Sequence, residues 1–92
     1  FKDQLAYSEL PILMHRQNEY TKGYIDLLIQ MDDHNIIVDF KTDVIKDPDE
    51  LVSRYSDQLL SYAFAVSSGI PDSKTEAYIY SLHLKTYILI QS

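Results

Sequence analysis

The sequence has 92 residues, 46% hydrophobic and 24% charged, which is the composition of a small globular domain or a piece of a larger protein and not of a disordered chain. Its formal net charge of −6 at pH 7 argues against nucleic-acid binding through a broad basic surface. It has no cysteine, which excludes a disulfide framework, a thiolate metal site and an iron–sulfur cluster, and no apolar run approaches the ~20 residues of a membrane span.

The first half of the chain predicts three short strands. Residues 5–16 (LAYSELPILMHR) predict the first, and Pro11 suggests an edge position or a bulge there. Two runs rich in β-branched residues, YIDLLIQ at 24–30 and IIVDFKT at 36–42, predict the second and third strands. The segment MDDHN between them is better interpreted as a turn than as a cluster of metal ligands, because Asp and Asn are common turn residues.

The segment from Asp47 to Gly69 carries the signals of a helix. Asp47 suits the N-cap, Pro48 suits the first helical position, and two acidic residues follow in the first turn. Gly69 suits the left-handed position that ends many helices, and Pro71 follows it. Spacings of three and four predict one buried stripe, formed by Val52, Tyr55, Leu59, Tyr62, Ala63 and Val66.

The last part of the chain returns to strand-forming residues. Residues 75–84 predict a fourth strand, and KTYILIQ at 85–91 is either a fifth strand or simply the end of the chain. The order strand, β-hairpin, helix, strand predicts an α/β fold with a mixed sheet. In it the helix crosses over right-handedly and places the fourth strand parallel to the third. With no repeat or internal linker, we expect residues 1–92 to form a single domain.

Each of the two apolar strands carries an aspartate in its middle, Asp26 and Asp39. A carboxylate among apolar side chains costs free energy unless it is paired or bound to a metal. Because side chains alternate along a strand, Asp39 and Lys41 are expected on one face of the third strand. By the same alternation, one face of the second strand should carry Tyr24, Asp26, Leu28 and Gln30.

The length of the turn decides whether the two aspartates meet. A four-residue loop would pair Gln30 with Asn35 and place the two aspartates opposite each other, with Cβ atoms ~5 Å apart. A five-residue loop would send them to opposite faces of the sheet. Two adjacent carboxylates repel each other unless a cation lies between them, and Mg²⁺ prefers such ligands. Two carboxylates and an ammonium on neighbouring strands would suit phosphodiester hydrolysis.

These residues, in this order, resemble the nuclease domain of the PD-(D/E)xK superfamily. More narrowly, GYIDLL…IIVDFKTD followed by YSDQLLSYAFA is similar to the RecB/AddA-type branch found at the C-terminus of UvrD-like helicases. That branch shows G-x-x-D, a short hairpin, D-[YF]-K-T and a helix bearing Q-x-x-x-Y. The resemblance covers nearly the whole chain and implies a restriction-endonuclease-like fold.

The resemblance implies roles for individual residues. Asp26 and Asp39 would bind Mg²⁺ or Mn²⁺, and Lys41 would be the catalytic lysine. The Q-x-x-x-Y pair, beside the site and the DNA, would be Gln58 and Tyr62. Gln58 would be catalytic, by holding the substrate or the lysine, and Tyr62 would be a substrate-contacting or supporting residue. Gly23 would match the glycine of G-x-x-D, and Glu9 an acidic strand position. For Glu9, a third carboxylate of the metal shell and a surface charge on an edge strand are about equally expected.

The branch also has a helix before the first strand, often with a histidine that completes the metal shell. This chain opens on Phe1, too late to contain that helix, so we expect an excised fragment with an incomplete active site. The resemblance further implies DNA as substrate, attached helicase domains, a cytoplasmic, prokaryotic setting without a membrane, and a second subunit. Two other interpretations stay open. One is a catalytically degenerate module for DNA-end binding or subunit interaction. The other is a small interaction domain with no nucleic-acid role, for which the two aspartates would lie on opposite faces.

Overall fold

The computed structural model describes residues 5–92, with positions 15 and 16 described by their backbone alone. The elements of this range are β1 (Leu5–Arg16), β2 (Glu19–Gln30), β3 (His34–Lys41), α1 (Pro48–Gly69), β4 (Lys74–Ser81) and β5 (Thr86–Gln91). Within the same range, no helix combines the length and the apolar character that crossing a bilayer requires.

The strands form one mixed sheet in the order β1-β2-β3-β4-β5. The pairings β1–β2, β2–β3 and β4–β5 are antiparallel, whereas β3 and β4 run parallel. The parallel pair follows from α1, because a helical crossover brings the chain back to the same end of the sheet. This confirms the predicted mixed α/β sheet and the edge position of β1, and it resolves the segment after residue 85 as a fifth strand.

The β1–β2 hairpin is longer than the sequence predicted. Its turn consists of Gln17 and Asn18 alone, with φ angles of 49° and 66°, as in the primed turns that fit the twist of paired strands. Pairing therefore continues to the last pair, Arg16 with Glu19. The prediction that β2 begins at residue 24 was wrong, because the strand begins at Glu19. Residues 19–22 are exposed, so they carry none of the apolar alternation by which a strand is recognised.

Helix α1 begins as its sequence indicates and ends differently. The side chain of Asp47 accepts a hydrogen bond of 2.9 Å from the amide of Asp49, and Pro48 is the first helical residue. At the other end Gly69 is still helical and does not adopt a positive φ, so the predicted left-handed C-terminal position was wrong. The helix closes instead through the amide of Ile70, which donates to the carbonyl of Val66 at 2.9 Å, and Pro71 stops its continuation.

One core joins α1 to a single face of the sheet. Within α1 the buried residues are Leu51, Leu59, Tyr62, Ala63 and Val66. This matches the predicted stripe from Leu59 onward, whereas Val52 and Tyr55 are only half-buried and Leu51 is buried in their place. Fully buried Ile25, Ile37 and Ile79 pack against them from β2, β3 and β4. This packing fixes the distance between the helix and the part of the sheet where Asp26 and Asp39 lie.

Side-chain alternation breaks in β2 at Asp26. Ile25 and Leu28 both belong to the core beside α1, although three residues of regular strand would place them on opposite faces. Tyr24, by contrast, is exposed, so the prediction that residues 24, 26, 28 and 30 share one face was wrong. The break lies opposite Glu9, whose φ of 50° is rarely adopted by a residue other than glycine. The pairs on either side are regular, Ser8 with Leu27 and Leu10 with Ile25.

Candidate active site

The candidate site lies where β2 and β3 part. Gln30 pairs with Asn35, as the four-residue loop requires, and the last pair of this ladder is Leu27 with Val38. Asp26 and Asp39 are the next residues on each strand. The amide of Phe40 donates to Oδ2 of Asp26 at 3.0 Å, so a side-chain carboxylate of β2 satisfies a backbone group of β3. The structure therefore brings the two predicted acidic residues to the same point of the sheet.

Asp39 is the more deeply buried of the two carboxylates. Its side chain is only 7% exposed, and its Oδ2 lies 2.8 Å from the Nζ of Lys41. That oxygen is buried, and no described residue donates a well-aligned hydrogen bond to it. Its contact with Lys41 is therefore an ion pair, and the oxygen can still accept another partner. A buried carboxylate oxygen in that state can accept a further cationic partner.

Lys41 connects β3 to helix α1. Its side chain is 18% exposed, and its Nζ donates to Oε1 of Gln58 at 3.3 Å. The same ammonium lies 4.0 Å from the centre of the Tyr55 ring. Asp39 and Lys41 thus share the face toward α1, as alternation along β3 predicted, while Phe40 between them is exposed on the other side and packs edge-on against Tyr80.

Tyr62 of α1 lies beside the site, against Gly23 of β2. A Cβ atom added to Gly23 would lie 3.1 Å from Cε1 of Tyr62 and 3.3 Å from its hydroxyl oxygen. The absence of a side chain at Gly23 therefore lets the buried tyrosine approach β2. Burial raises the pKa of Tyr62, with a smaller contribution from the charge of Asp39. The glycine of the G-x-x-D pattern and the tyrosine of the Q-x-x-x-Y pattern therefore lie so close that a side chain between them would be crowded.

The pKa values of Asp39 and Lys41 depend on burial and on the neighbouring charges. Burial raises the pKa of Asp39, and the nearby carboxylate of Asp26 adds to this, while Lys41 acts in the opposite direction. Burial acting alone would lower the pKa of Lys41. The carboxylate of Asp39, with smaller contributions from Tyr55 and Asp26, outweighs that effect, so the pKa of Lys41 is raised. Lys41 is therefore an ammonium at neutral pH, and two acidic groups lie close enough to repel each other.

The donor set at this point fits a hard divalent cation. Asp26 and Asp39 offer carboxylate oxygens, the ligand type that Mg²⁺ and Mn²⁺ prefer, and one of these oxygens is buried without a well-aligned hydrogen bond from the described residues. Among the side chains that the structure describes, those of residues 5–14 and 17–92, no group of three histidine or acidic residues is placed to hold a metal ion. Glu9, the candidate third carboxylate, is exposed on β1. The two aspartates are thus the ligands that the described residues offer.

Two residues beside the lysine were not recognised from the sequence as part of the site. The hydroxyl of Tyr55 donates to Oδ2 of Asp43 at 2.8 Å, and Nη1 of Arg54 donates to the same oxygen at 2.9 Å. Tyr55 belonged to the predicted core stripe, and it is in fact half-buried. The only signal for Asp43 was its position directly after the FKT segment, since a contact between a loop carboxylate and a helix tyrosine is not visible as spacing along the chain.

Comparison with known proteins gives consistent results. The sequence model of the PD-(D/E)XK nuclease superfamily matches residues 5–88. An ATP-dependent helicase/nuclease subunit from Ligilactobacillus salivarius is 42% identical over 82 residues, which are 89% of this chain and 6% of the relative. The protein of the same name from Clostridium botulinum is 36% identical over 69 residues, 75% of this chain and 6% of the relative. That from Streptococcus pyogenes is 42% identical over 64 residues, 68% of this chain and 5% of the relative. The chain therefore spans only a small part of these relatives.

Proposed function

Because this chain belongs to the PD-(D/E)XK nuclease superfamily, we propose that it is the nuclease domain of a RecB/AddA-type helicase–nuclease and that it hydrolyses DNA phosphodiesters with Mg²⁺ or Mn²⁺. The observation that carries the proposal is the meeting of Asp26, Asp39 and Lys41 at the point where β2 and β3 part. A structural ion pair alone would not require a second carboxylate beside a buried one, because that arrangement raises the energy of the charged state.

In this proposal Asp26 and Asp39 hold the metal through their carboxylate oxygens. A divalent cation bound there would supply Lewis-acid polarisation of the phosphodiester and a water of lowered pKa. The Asp39 carboxylate keeps Lys41 charged, and the ammonium stabilises the negative charge that develops on the phosphoryl oxygens or orients the attacking water. Asp39 thus serves both the cation and the lysine.

Gln58 and Tyr62 act from the helix. Gln58 accepts from Lys41 through Oε1, which leaves its amide nitrogen to donate to a phosphate oxygen of the substrate. Tyr62, against Gly23, forms the wall of the site on the side of the hairpin. We propose that Gln58 is a catalytic residue, which holds the lysine and the substrate, and that Tyr62 is a supporting residue, which shapes the site. Glu9 remains a candidate third carboxylate.

The setting of the domain follows from its relatives. They are named as ATP-dependent helicase/nuclease subunits, and the chain corresponds to about 6% of their length. We propose that residues 1–92 are one domain of a longer bacterial polypeptide that acts in double-strand-break processing and recombination in the cytoplasm. Attached helicase domains would deliver a DNA strand, so this domain would not need a basic surface of its own, and a second subunit would complete the enzyme.

The test is cleavage by the full-length protein. We expect cleavage of linear DNA with Mg²⁺ or Mn²⁺, loss of cleavage with a chelator, and at least a hundredfold loss of rate in Asp39→Ala and Lys41→Ala. Asp32→Ala and Lys46→Ala are matched controls, because both side chains are exposed and away from the proposed roles. Retention of cleavage in both site variants would show that the assignment is wrong. Circular substrates distinguish an exonuclease, which leaves them intact, from an endonuclease.

A second function is favoured by one observation, namely that the described side chains, which exclude those of residues 15 and 16, offer no group of three metal ligands. A module in which the site is degenerate would bind DNA ends or a partner protein without cutting. It predicts that full-length protein binds DNA ends equally well with and without a chelator, and that Asp39→Ala changes neither binding nor product formation.

A further inference from the structure

The ammonium of Lys41 is surrounded on three sides. It lies 2.8 Å from Oδ2 of Asp39, 3.3 Å from Oε1 of Gln58 and 4.0 Å from the centre of the Tyr55 ring. Two of these partners have another task in the proposed function, Asp39 toward the metal and Gln58 toward the substrate. The aromatic ring is the remaining partner.

Tyr55 is itself held in place. Its hydroxyl donates to Oδ2 of Asp43 at 2.8 Å, and Arg54 donates to the same oxygen at 2.9 Å. Asp43 follows Lys41 by two residues, just after the end of β3, whereas Tyr55 lies on α1. The hydrogen bond therefore ties the helix to the segment that carries the lysine, and it orients the face of the ring toward the ammonium.

We propose that Tyr55, anchored by Asp43, is a positioning residue for Lys41. This inference rests on the proposed function of Lys41 in phosphodiester hydrolysis. The lysine side chain is a flexible four-carbon stem ending in a compact charge, so a fixed partner is needed to keep the charge in one place. The negative face of an aromatic ring attracts an ammonium.

An aromatic ring suits this position better than another carboxylate would. A third carboxylate beside Asp26 and Asp39 would add repulsion, and the metal would compete with the lysine for it. The ring stabilises the ammonium without offering the cation a charged ligand. When Asp39 engages a cation and its attraction for Lys41 weakens, the contact between the lysine and the ring remains.

The test uses steady-state cleavage by the full-length protein. For Tyr55→Leu, which removes the ring, we expect kcat to fall roughly tenfold, in line with a desolvated cation–π contact. The KM for DNA and the metal concentration at half-maximal rate should not change. Tyr55→Phe keeps the ring and loses only the hydroxyl, so its loss should be a few-fold. Tyr87→Leu is the matched control, because this tyrosine is exposed on β5 and should show wild-type kinetics.

A double-mutant cycle tests the anchor. Tyr55→Phe and Asp43→Ala each remove the same hydrogen bond, so the double variant should be no slower than the slower single variant. If the two effects multiply instead, Asp43 and Tyr55 act independently and the anchoring role is wrong. A rise in KM without a fall in kcat would show that Tyr55 contacts substrate and would also overturn the inference. If Tyr55→Leu does not fold, Tyr55→Phe and Asp43→Ala still test the inference.

Amine labelling gives a readout that does not depend on cleavage. Brief acylation of the metal-free full-length protein, followed by mass spectrometry, should modify Lys41 several-fold faster in Tyr55→Leu than in wild type, with Lys46 as the internal reference. Unchanged labelling together with unchanged kcat in Tyr55→Leu would overturn the inference. A wild-type protein that cleaves no DNA with either metal would overturn the proposed function instead, and labelling would still decide whether Tyr55 holds the lysine.

Discussion

The carboxylate of Asp26 accepts a hydrogen bond of 3.0 Å from the backbone amide of Phe40, one strand away. The contact lies just beyond the last backbone pair of the β2–β3 ladder, Leu27 with Val38. Asp26 therefore has a structural task as well as its proposed catalytic one. It holds β3 at a fixed distance from β2 where the two strands separate, and this keeps Asp39 beside it.

Two substitutions of Asp26 should separate these tasks. Asp26→Asn keeps an oxygen that can accept from Phe40 but loses the charge, whereas Asp26→Ala loses both. We expect both variants to abolish cleavage, and only Asp26→Ala to loosen the strand junction, at a cost of about 1 kcal/mol for the lost hydrogen bond. Hydrogen exchange measured by mass spectrometry on peptides covering residues 37–42 checks this. Equal exchange in Asp26→Ala and wild type would contradict the structural role.

Replacement of Gly23 by alanine should displace Tyr62. The added Cβ would lie 3.0 Å from Cε of Met14 and 3.1 Å from Cε1 of Tyr62. The end of the methionine can move, but the tyrosine ring is packed in the core. Overpacking of this kind typically costs about 1–3 kcal/mol, so we expect a lower melting temperature and reduced cleavage in Gly23→Ala.

The chain provides a matched control for this substitution. A Cβ at Gly69 meets nothing within 4 Å, and Gly69 lies at the end of α1 without a positive φ. Gly69→Ala should therefore be neutral or stabilising, by at most about 1 kcal/mol. If both glycine variants melt at the same temperature, the close approach between Gly23 and Tyr62 has no energetic consequence.

The sequence predicted the elements that depend on local signals. The β-branched runs predicted β2 and β3, and the acidic N-cap followed by Pro48 predicted the start of α1. The sequence narrowed the β2–β3 hairpin to a four-residue or a five-residue loop, and the structure has the four-residue loop, which pairs Gln30 with Asn35. Each of these features is determined by residues that are neighbours along the chain.

The features that were missed depend on contacts between distant residues. Regular alternation assumes an unbroken strand, and the unusual φ of Glu9 on β1 opposite Asp26 is not visible in the sequence of β2. Helical spacing placed Tyr55 in the core stripe. It could not show that the ring faces Lys41, because that contact joins α1 to the end of β3. The outline of the site was therefore predictable, but the support of its lysine was not.

Removal of the charge at Asp39 should stabilise the metal-free protein. Burial raises the pKa of this group above its unfolded value, so its ionisation at neutral pH opposes folding, and the stability present at low pH is lost as the pH rises through the folded pKa. We expect Asp39→Asn to melt at a higher temperature than wild type at pH 7 with a chelator present. Added Mg²⁺ or Mn²⁺ should raise the melting temperature of wild type but not of the variant. A variant that melts lower than wild type would show that the ion pair with Lys41 outweighs the cost of burial.

The contact between Asp43 and Tyr55 should make the stability of the fold depend on pH in the direction opposite to that of Asp39. The hydrogen bond from Tyr55, together with Arg54, lowers the pKa of Asp43. A group whose folded pKa is depressed contributes stability above its unfolded pKa, about 3.9 for Asp, and that contribution is lost as the pH falls through the folded pKa. The melting temperature of wild type should therefore fall more steeply than that of Asp43→Asn between about pH 5 and pH 3. Asp32→Asn is the control. The carboxylate of Asp32 is exposed in a turn, so its removal should leave the pH dependence of the melting temperature as in wild type. Parallel profiles for wild type and Asp43→Asn would show that the link between α1 and the segment after β3 adds no stability.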